Sequence, residues 1–401
     1  MIPIEDLKAL AKPAKTKIVL LVMDGVGGLP RAADGKTELE AARTPNLDAL
    51  TARSSLGLAD PVAPGITPGS GPGHLGVFGY DPLQYRIGRG VLEAVGIDVP
   101  MTDRDLAARG NFCSVDAQGL ITDRRAGRIP TETCAKLCGI LEKIRIPGIE
   151  LVVKPVREHR FVVLFRGDGL EEGLSETDPQ EIGKAPLPVR AERPIAVTAA
   201  EVANRFAAEA RQALAHERPA NMILLRGFSK YPKIDRLTDI YGVRAGVIAI
   251  YPMYRGLARL VGMEPIPAGD VVADEFGALQ AAYGQFDFFF MHIKKTDSYG
   301  EDGNFDSKVH VIEEVDREIP RLLALNPDVV VVTADHSTPA TYKAHSWHPV
   351  PVLLWSKWCR PDGAARFTER ECRLGSLGHF RAAELMPMVM GYAERLSKFG
   401  A

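Results

Sequence analysis

Short apolar runs alternate with amphipathic stretches along most of the chain. Helices are predicted between the runs, for instance at Ala273–Tyr283 and at Lys308–Leu325, where Pro320 is expected to bend or shorten the helix. This alternation is typical of an α/β protein in which helices connect the strands of a sheet. Strands are predicted at Lys17–Met23, Asn221–Leu225, Gly246–Tyr251, Asp287–Ile293, Asp328–Thr333 and Val350–Trp355.

The middle of the chain has a different pattern. It contains one clear strand at Phe161–Phe165, a proline-rich connection, and a helix whose start is predicted from Thr198 and Glu201 as a capping box. A chain of 401 residues is long enough for two domains. We therefore predict a core domain formed by residues 1–102 and 220–401, with a smaller α+β domain, residues 103–219, inserted into it.

Composition and charge exclude several classes of protein. The net charge of −2 gives no general attraction to nucleic acid or anionic lipid, so neither partner is expected. The longest apolar runs, such as Phe286–Ile293, are far shorter than the ~20 residues of a membrane span. The first ten residues lack the apolar stretch of a secretory signal, and Cys134 and Cys138 are expected to be small core residues. We expect a cytoplasmic protein and predict no particular oligomeric state.

Acidic residues follow three of the predicted strands. Asp24, Asp297 and the pair Asp335–His336 each come after an apolar run, and His345 precedes the last predicted strand. Sites in open α/β sheets form beyond the carboxyl ends of the strands, so these side chains converge if the strands are parallel. Carboxylates together with imidazoles form good sites for Mn²⁺, Mg²⁺ or Zn²⁺.

Ser70 is the candidate nucleophile. It lies between two glycines in a stretch, Pro64–Leu75, that contains three prolines and four glycines and predicts a rigid loop. A serine exposed in this way could act as a nucleophile if a metal ion lowers the pKa of its hydroxyl group. The alternatives are a plain surface loop and, for His74, a hydrogen-bonded structural role.

Several short motifs follow one another along the chain. They are Asp24–Gly25, Thr44–Asp48, Asp60–Gly65, Pro68–Ser70, His74–Leu75, Gly79–Pro82, Gly88–Gly90, Asp123–Arg128, Asp297, Asp335–His336, His345 and Trp347–Pro351. In this order the motifs resemble the alkaline phosphatase superfamily and, within it, the archaeal-type phosphoglycerate mutases that are independent of 2,3-bisphosphoglycerate. The resemblance covers nearly the whole chain and implies a mostly parallel sheet flanked by helices.

The resemblance also implies a set of functional residues and two divalent ions, with Mn²⁺ favoured and Mg²⁺, Co²⁺ or Zn²⁺ as options. Ser70 becomes the residue that is phosphorylated. Asp24, Ser70, Asp335 and His336 are expected to hold one ion, and Asp297, Glu301 and His345 the other. The residues expected to bind the phosphate and carboxylate of the substrate are Asp123, Arg124, Arg125, Arg128, His159, Arg160 and Arg226.

One position departs from the family pattern. Where family members commonly have Asp-x-x-Gly-His at the second metal site, this chain ends the motif with Glu301. A glutamate still offers an oxygen ligand, and two carboxylates with one imidazole favour Mn²⁺ or Mg²⁺ over Zn²⁺. The alternatives are that Asp302 takes this place or that the second site has low occupancy.

The resemblance implies interconversion of 3-phosphoglycerate and 2-phosphoglycerate, a step of glycolysis and gluconeogenesis, through a phosphoserine at Ser70. Glycerate must stay bound during the transfer, and a held hydroxyl has an effective molarity of about 10⁵ M or more over water. The arginines of the inserted domain suit that task because arginine pairs a carboxylate bidentately. A metal-dependent phosphatase, another phosphotransferase of the superfamily and a non-catalytic phospho-metabolite binder remain alternatives.

Overall fold

Two sheets organise the fold in the computed structural model, which describes residues 2–400. The strands, in chain order, are β1 (Ile18–Met23), β2 (Ser55–Asp60), β3 (Asp105–Val115), β4 (Ile121–Asp123), β5 (Glu150–Arg157), β6 (Arg160–Arg166), β7 (Met222–Lys230), β8 (Ala245–Ala249), β9 (Glu264–Pro265), β10 (Phe288–Ile293), β11 (Val329–Thr333), β12 (Val350–Ser356) and β13 (Gly378–Arg381).

The helices connect these strands. In chain order they are α1 (Ile4–Leu10), α2 (Glu38–Ala41), α3 (Pro45–Thr51), α4 (Ser70–Val77), α5 (Arg89–Gly96), α6 (Thr131–Leu141), α7 (Val197–Ala213), α8 (Leu237–Tyr241), α9 (Pro252–Leu260), α10 (Val272–Ala282), α11 (Lys295–Glu301), α12 (Phe305–Leu323), α13 (Glu369–Cys372) and α14 (Leu385–Tyr392). None of the helices within residues 2–400 has the length and apolar content needed to cross a lipid bilayer.

The chain divides into two compact units. The core unit comprises Met1–Arg86 with Ile234–Ala401, and the inserted unit comprises Ile87–Lys233. The inserted unit is longer at both ends than the segment 103–219 expected from the sequence, because α5 and β7 both pack on β3.

The core unit contains an eight-stranded sheet in the order β13-β2-β12-β11-β1-β10-β8-β9. The central strands β11, β1, β10 and β8 are mutually parallel, whereas β12 runs antiparallel to both of its neighbours. The central strands are buried along their whole length, as expected for parallel strands covered on both faces. Val22 of β1 lies opposite His292 of β10 and Thr333 of β11, so the carboxyl ends of these three parallel strands lie at the same edge of the sheet.

The inserted unit contains an antiparallel sheet in which β3 pairs with β4, β6 and β7. Its hydrophobic core includes Phe161 of β6 and Phe206 of α7, together with Cys134 and Cys138, which are both buried. The strand predicted at Asn221–Leu225 therefore belongs to the sheet of the inserted unit, and its extension to Lys230 was not predicted.

The predicted fold class is confirmed: the protein is α/β, with a mostly parallel sheet flanked by helices and a smaller α+β unit inserted into it. Two local predictions were wrong. Helix α7 begins at Val197 after a 3₁₀ turn over Pro194–Ala196, so Thr198 lies inside the helix and forms no capping box. Ser70 begins a helix rather than lying in a loop. Helix α12 includes Pro320 and ends at Leu323, two residues before the predicted end.

Candidate functional site

The side chains of the first cluster come from adjacent strand ends and one helix start. Asp24 directly follows β1, Asp335 and His336 follow β11, and Ser70 is the first residue of α4. Helix α4 approaches the turn after β11 closely at Gly73, where a Cβ atom would lie 2.1 Å from the Asp335 carbonyl oxygen. A glycine is therefore required there to bring Ser70 next to the strand-end acids.

These four side chains meet around one imidazole nitrogen. His336 Nε2 lies 3.3 Å from Asp24 Oδ1 and 3.1 Å from Asp335 Oδ2, and the Ser70 hydroxyl lies 3.3 Å from the same nitrogen. Asp24, Asp335 and His336 are completely buried. The arrangement brings three oxygens and one nitrogen together; that these four side chains hold a metal ion, as the family resemblance implies, remains a prediction.

The protonation of His336 can be assigned from its other nitrogen. The Thr338 hydroxyl donates to Asp297 Oδ1 at 2.8 Å and lies 2.9 Å from His336 Nδ1, so Nδ1 carries the proton and donates to Thr338. His336 Nε2 therefore presents a lone pair to the two carboxylates. Burial also lowers the pKa of His336, which keeps the imidazole neutral.

The second cluster lies beside the first. His345 Nε2 is 3.4 Å from Asp297 Oδ1 and 3.8 Å from Glu301 Oε1, and the His345 ring stacks on His336 at 3.6 Å between centroids. Asp297 and Glu301 are one turn apart on α11, which follows β10, so they share one face of that helix. Asp297 is buried and Glu301 is exposed.

Cationic and aromatic residues surround Asp24 on the side away from His336. The Tyr254 hydroxyl donates to Asp24 Oδ2 at 2.7 Å, and the ring of Tyr254 stacks on the buried His292, whose Nε2 is 3.2 Å from the same oxygen. Lys294 donates to Asp24 Oδ2 at 3.0 Å and also to Asp297 Oδ2. Lys294 thus links the acids of the two clusters.

The pKa shifts follow from this crowding of charge. Burial opposes ionisation of Asp24, but Lys294 and the contact with His292 outweigh it and hold the pKa of Asp24 well below its ordinary value. Burial and Asp24 also oppose ionisation of Asp297, yet His345 and Lys294 bring its pKa to about 2. Burial lowers the pKa of His345, but Asp297 and the Pro68 carbonyl raise it to about 9. Burial and Asp297 raise the pKa of Glu301.

The residues present fit divalent ions. Asp24 Oδ1 and Asp335 Oδ2 are buried, form no hydrogen bond within residues 2–400, and face the lone pair of His336 Nε2. The imidazole of His74 also lies close, with Nδ1 3.1 Å from Asp335 Oδ2 and 2.8 Å from the Ser70 carbonyl oxygen. Three electron-rich atoms in such close contact favour a cation between them. A second set, Asp297, His336 and His345, also brings its ligand atoms close enough to share an ion. Glu301 lies at the edge of this second set.

A second group of predicted residues lies in the inserted unit, on the turn after β4. Both carboxylate oxygens of Asp123 accept main-chain N–H groups, from Arg125 at 2.8 Å and from Gly127 at 2.6 Å. Residues Ala126, Gly127 and Arg128 all have left-handed backbone angles, with φ of 45°, 65° and 53°. Such strain at non-glycine residues is often found at functional sites, and Asp123 stabilises the turn that carries two exposed arginines.

His159 is a buried histidine whose pKa is influenced by four arginines. It is 1% exposed, and burial together with Arg160, Arg109, Arg125 and Arg128 lowers its pKa to about 3. A neutral histidine surrounded by guanidinium groups is the environment expected where an anion binds. Arg109 was not among the predicted residues.

Two predicted arginines have carboxylate partners within the unit. Arg124 forms a bidentate pair with the Asp178 carboxylate at 2.9 and 2.6 Å, and Arg226 donates to Glu176 at 2.8 Å and lies 3.6 Å from Asp178. Their contact with substrate remains a prediction, and neither is among the arginines that lower the pKa of His159.

Sequence reasoning missed several residues of both clusters. Lys294 directly follows β10, so the strand-end argument that selected Asp24 applies to it as well. His292 is the single polar residue of an otherwise apolar strand, which is the signal that could have identified it. Arg109 lies in a strand that contains other polar residues, so no comparable signal marks it. Tyr254 lies in the helix after β8, and nothing local in the sequence separates it from a core aromatic.

Comparisons with known proteins point to one family. The family model described as 2,3-bisphosphoglycerate-independent phosphoglycerate mutase matches residues 51–221. A probable 2,3-bisphosphoglycerate-independent phosphoglycerate mutase of Thermotoga neapolitana is 53% identical over 388 residues, which cover 96% of each chain. A protein of the same name from Thermus thermophilus is 49% identical over 400 residues, which cover 98% of each chain.

Solved structures agree with these relatives. A protein of Pyrococcus horikoshii has a TM-score of 0.84 at 30% identity, covering 97% of this chain and 100% of its own. A cofactor-independent phosphoglycerate mutase of Thermoplasma acidophilum has a TM-score of 0.69 at 29% identity, covering 94% and 100% respectively. The likeness thus extends over both units of the chain.

Proposed function

Because the chain belongs to the family of 2,3-bisphosphoglycerate-independent phosphoglycerate mutases, we propose that it interconverts 3-phosphoglycerate and 2-phosphoglycerate through a phosphoserine at Ser70. Ser70 Oγ attacks the phosphorus, and the 3-hydroxyl of glycerate leaves with the serine proton. The 2-hydroxyl of the same glycerate then attacks phosphoserine and returns the proton to Ser70. This reaction belongs to glycolysis and gluconeogenesis, and on that ground we place it in the cytoplasm.

The observation that supports this proposal most directly is the contact between Ser70, the His336 lone pair and two buried carboxylate oxygens without donors. Ser70 also begins helix α4, whose first turn has free N–H groups and the positive end of the helix dipole. A phosphoryl group on Ser70 would lie at that helix start. The chain therefore offers an anion site at the oxygen that is to be phosphorylated.

We propose that Asp24, Ser70, Asp335 and His336 hold one divalent ion and that Asp297, Glu301 and His345 hold a second. Such a pair of ions supplies Lewis acidity to the attacking and leaving oxygens of an in-line displacement. The protein keeps the ligands in place: Thr338 fixes the tautomer of His336, and the Pro68 carbonyl accepts from His345 Nδ1 at 2.9 Å. The predominance of oxygen ligands favours Mn²⁺.

We further propose that the inserted unit binds the anionic groups of the substrate. Arg125 and Arg128 are exposed on the turn built by Asp123, and Arg160 lies next to the buried His159. Guanidinium groups in this number suit a substrate that carries both a carboxylate and a phosphate. We extend the proposal to Arg124 and Arg226, which are only partly buried beside their carboxylate partners.

The test is a product assay with 3-phosphoglycerate and Mn²⁺, without 2,3-bisphosphoglycerate. We expect 2-phosphoglycerate without stoichiometric free phosphate, and acid quenching followed by peptide mass spectrometry should recover phosphoserine at residue 70. Release of phosphate as the main product would identify a phosphatase instead. A phosphoryl group on any other residue would contradict the assignment of Ser70.

A further inference from the structure

One lysine of the core unit is completely buried and has no place in the proposed reaction. Lys308 on helix α12 is 0% exposed, and its ammonium group donates to three main-chain carbonyl oxygens. These belong to Gly25 at 2.9 Å, Thr338 at 2.8 Å and Gly27 at 3.4 Å. An ammonium group has three protons, so each carbonyl can receive one.

The carbonyls belong to the two turns that carry the proposed metal ligands. Gly25 and Gly27 follow Asp24 after β1, and Thr338 follows Asp335 and His336 after β11. The two turns also contact each other directly, because the Gly25 N–H donates to Asp335 Oδ1 at 3.2 Å and the Thr338 N–H donates to the Gly25 carbonyl at 3.1 Å. Lys308 joins the same two turns from the side of α12.

A buried glutamate balances the charge. Glu38 Oε1 lies 3.5 Å from Lys308 Nζ and accepts the main-chain N–H of Ala340 at 2.7 Å. Glu38 is also 0% exposed, and Ala340 belongs to the same turn as Thr338. An unpaired charge at this depth is strongly unfavourable, so Lys308 and Glu38 act as a pair, and each of them hydrogen-bonds to the turn that contains Thr338 and Ala340.

We infer that Lys308 is a positioning residue for the first proposed metal site: it holds the Asp24 turn and the Asp335–His336 turn together, so that their side chains can share one divalent ion. The inference rests on the proposed function, since it takes these residues to be metal ligands. Two contacts support the inference. The Lys308 ammonium group contacts both ligand-bearing turns, and it binds the carbonyl of Thr338, whose hydroxyl group contacts His336 and Asp297.

The competing explanation is that Lys308 is an ordinary buried cation that stabilises the fold. The chain offers a matched control in Arg395, which is 1% exposed and donates to the Thr16 carbonyl at 2.7 Å, at the opposite end of β1 from Asp24. Both residues are buried cations bound to main-chain oxygens. Of the two, Lys308 alone contacts the ligand-bearing turns. A positioning role therefore predicts weaker metal binding in the Lys308 variant and not in the Arg395 variant, whereas a purely stabilising role predicts no such difference.

The experiment compares Lys308→Met, the double variant Glu38→Gln with Lys308→Met, and Arg395→Met with the unaltered protein. Folding is checked by circular dichroism in chelator, Mn²⁺ binding is measured by electron paramagnetic resonance of free Mn²⁺, and the rise in melting temperature on adding Mn²⁺ is recorded. Loss of a group that orients ligands typically weakens metal affinity by about 10- to 100-fold.

We expect both Lys308 variants to fold, to bind Mn²⁺ at least about tenfold more weakly and to lose most of the metal-induced rise in melting temperature. Arg395→Met should lose stability in chelator but keep the Mn²⁺ dissociation constant within about twofold of the unaltered protein. If the single change leaves Glu38 unpaired and prevents folding, the double variant, which removes both charges, is used to measure the Mn²⁺ affinity.

Three results would overturn the inference. Folded Lys308 variants with unchanged Mn²⁺ affinity would make Lys308 a residue of the fold alone, and so would failure of both variants to fold. An equal loss of affinity in Arg395→Met would show that any buried cation has this effect. Failure of the unaltered protein to bind Mn²⁺ would instead contradict the proposed metal sites, on which the inference depends.

Discussion

The two clusters of charged side chains, one in each unit, have opposite sign and are held in different ways. In the core unit, carboxylates gather at the ends of parallel strands, and Lys294 links two of them. In the inserted unit, arginines gather around His159 from strands and from a strained turn. Each cluster has an excess of one charge, which a ligand of opposite sign would balance.

One histidine in each cluster, His345 in the core unit and His159 in the inserted unit, shows this difference in its pKa. Burial lowers the pKa of both, but carboxylates outweigh it for His345, whose pKa rises to about 9, whereas arginines reinforce it for His159, whose pKa falls to about 3. The same side chain therefore lies among carboxylates in one unit and among arginines in the other. The following predictions test that contrast, in order of decreasing effect.

The largest effect is expected from Ser70→Ala. Removal of the proposed nucleophile should lower kcat by about 10⁴-fold or more and, because Ser70 is also a proposed metal ligand, weaken Mn²⁺ binding, while the circular dichroism spectrum stays close to that of the unaltered protein. Ser54→Ala is the control, because Ser54 is also buried but donates to the Leu50 carbonyl within the end of α3. Turnover retained by Ser70→Ala would rule out covalent transfer at this residue.

The next effect concerns the stability of the inserted unit in acid. The pKa of His159 is depressed in the folded state, from about 6.5 in the unfolded chain, so its contribution is present above pH 6.5 and is lost as the pH falls. Between pH 6.5 and 4.5 the loss is about 2 to 3 kcal/mol in the free energy of unfolding. In urea titrations, the free energy of unfolding of His159→Gln should fall less between pH 6.5 and 4.5 than that of the unaltered protein. An equal fall in both proteins would contradict the depressed pKa of His159.

A smaller effect is expected when the arginines are compared with each other. Arg128→Ala should lower kcat/KM by about 10- to 150-fold, the equivalent of about 1.5 to 3 kcal/mol for a hydrogen bond to a charged group. Arg124→Ala should cost less activity and more stability, because Arg124 already pairs with the buried Asp178. Steady-state kinetics and melting curves of both variants provide the measurement, and equal kinetic losses would show that the Asp178 pair opens for substrate.

The smallest effect is expected at Glu301. Glu301→His supplies the nitrogen ligand common in the family, so the ratio of Zn²⁺ to Mn²⁺ affinity should rise by about tenfold. Competition titrations measure this ratio, with Asp302→His as the matched control on the next residue. A change in the Asp302 variant alone would show that Asp302 is the ligand. In the unaltered protein, chelation should abolish activity and Mn²⁺ should restore it better than Zn²⁺.

The core of the site could be predicted from the sequence because it obeys a rule of parallel sheets. Strands β1, β10 and β11 are continuous apolar runs, and the polar residue after each run must lie at the same edge. The helix that begins at Ser70 could not be predicted in this way, because two glycines and a proline in its first turn are poor helix formers. Packing of Gly73 against the Asp335 turn overrides that local preference.

The arginine cluster could be predicted only in part. The turn from Asp123 to Arg128 is local, so its motif identifies it, but the residues that meet it at His159 come from distant strands. Arg109 lies on β3, whose pairing with β6 brings it beside Val162. Antiparallel register of this kind depends on turns and bulges, such as the shift between Pro155 and Arg157, that the sequence pattern does not specify.

The neighbours of β1 in the sheet have a consequence for synthesis of the protein. Strand β1 ends at Met23, but its partners β10 and β11 begin at Phe288 and Val329, on the far side of the whole inserted unit. At about 5 to 20 residues per second, the ribosome needs roughly 15 to 50 s to bridge that interval. A strand of six apolar residues is therefore without both of its sheet partners during this part of synthesis.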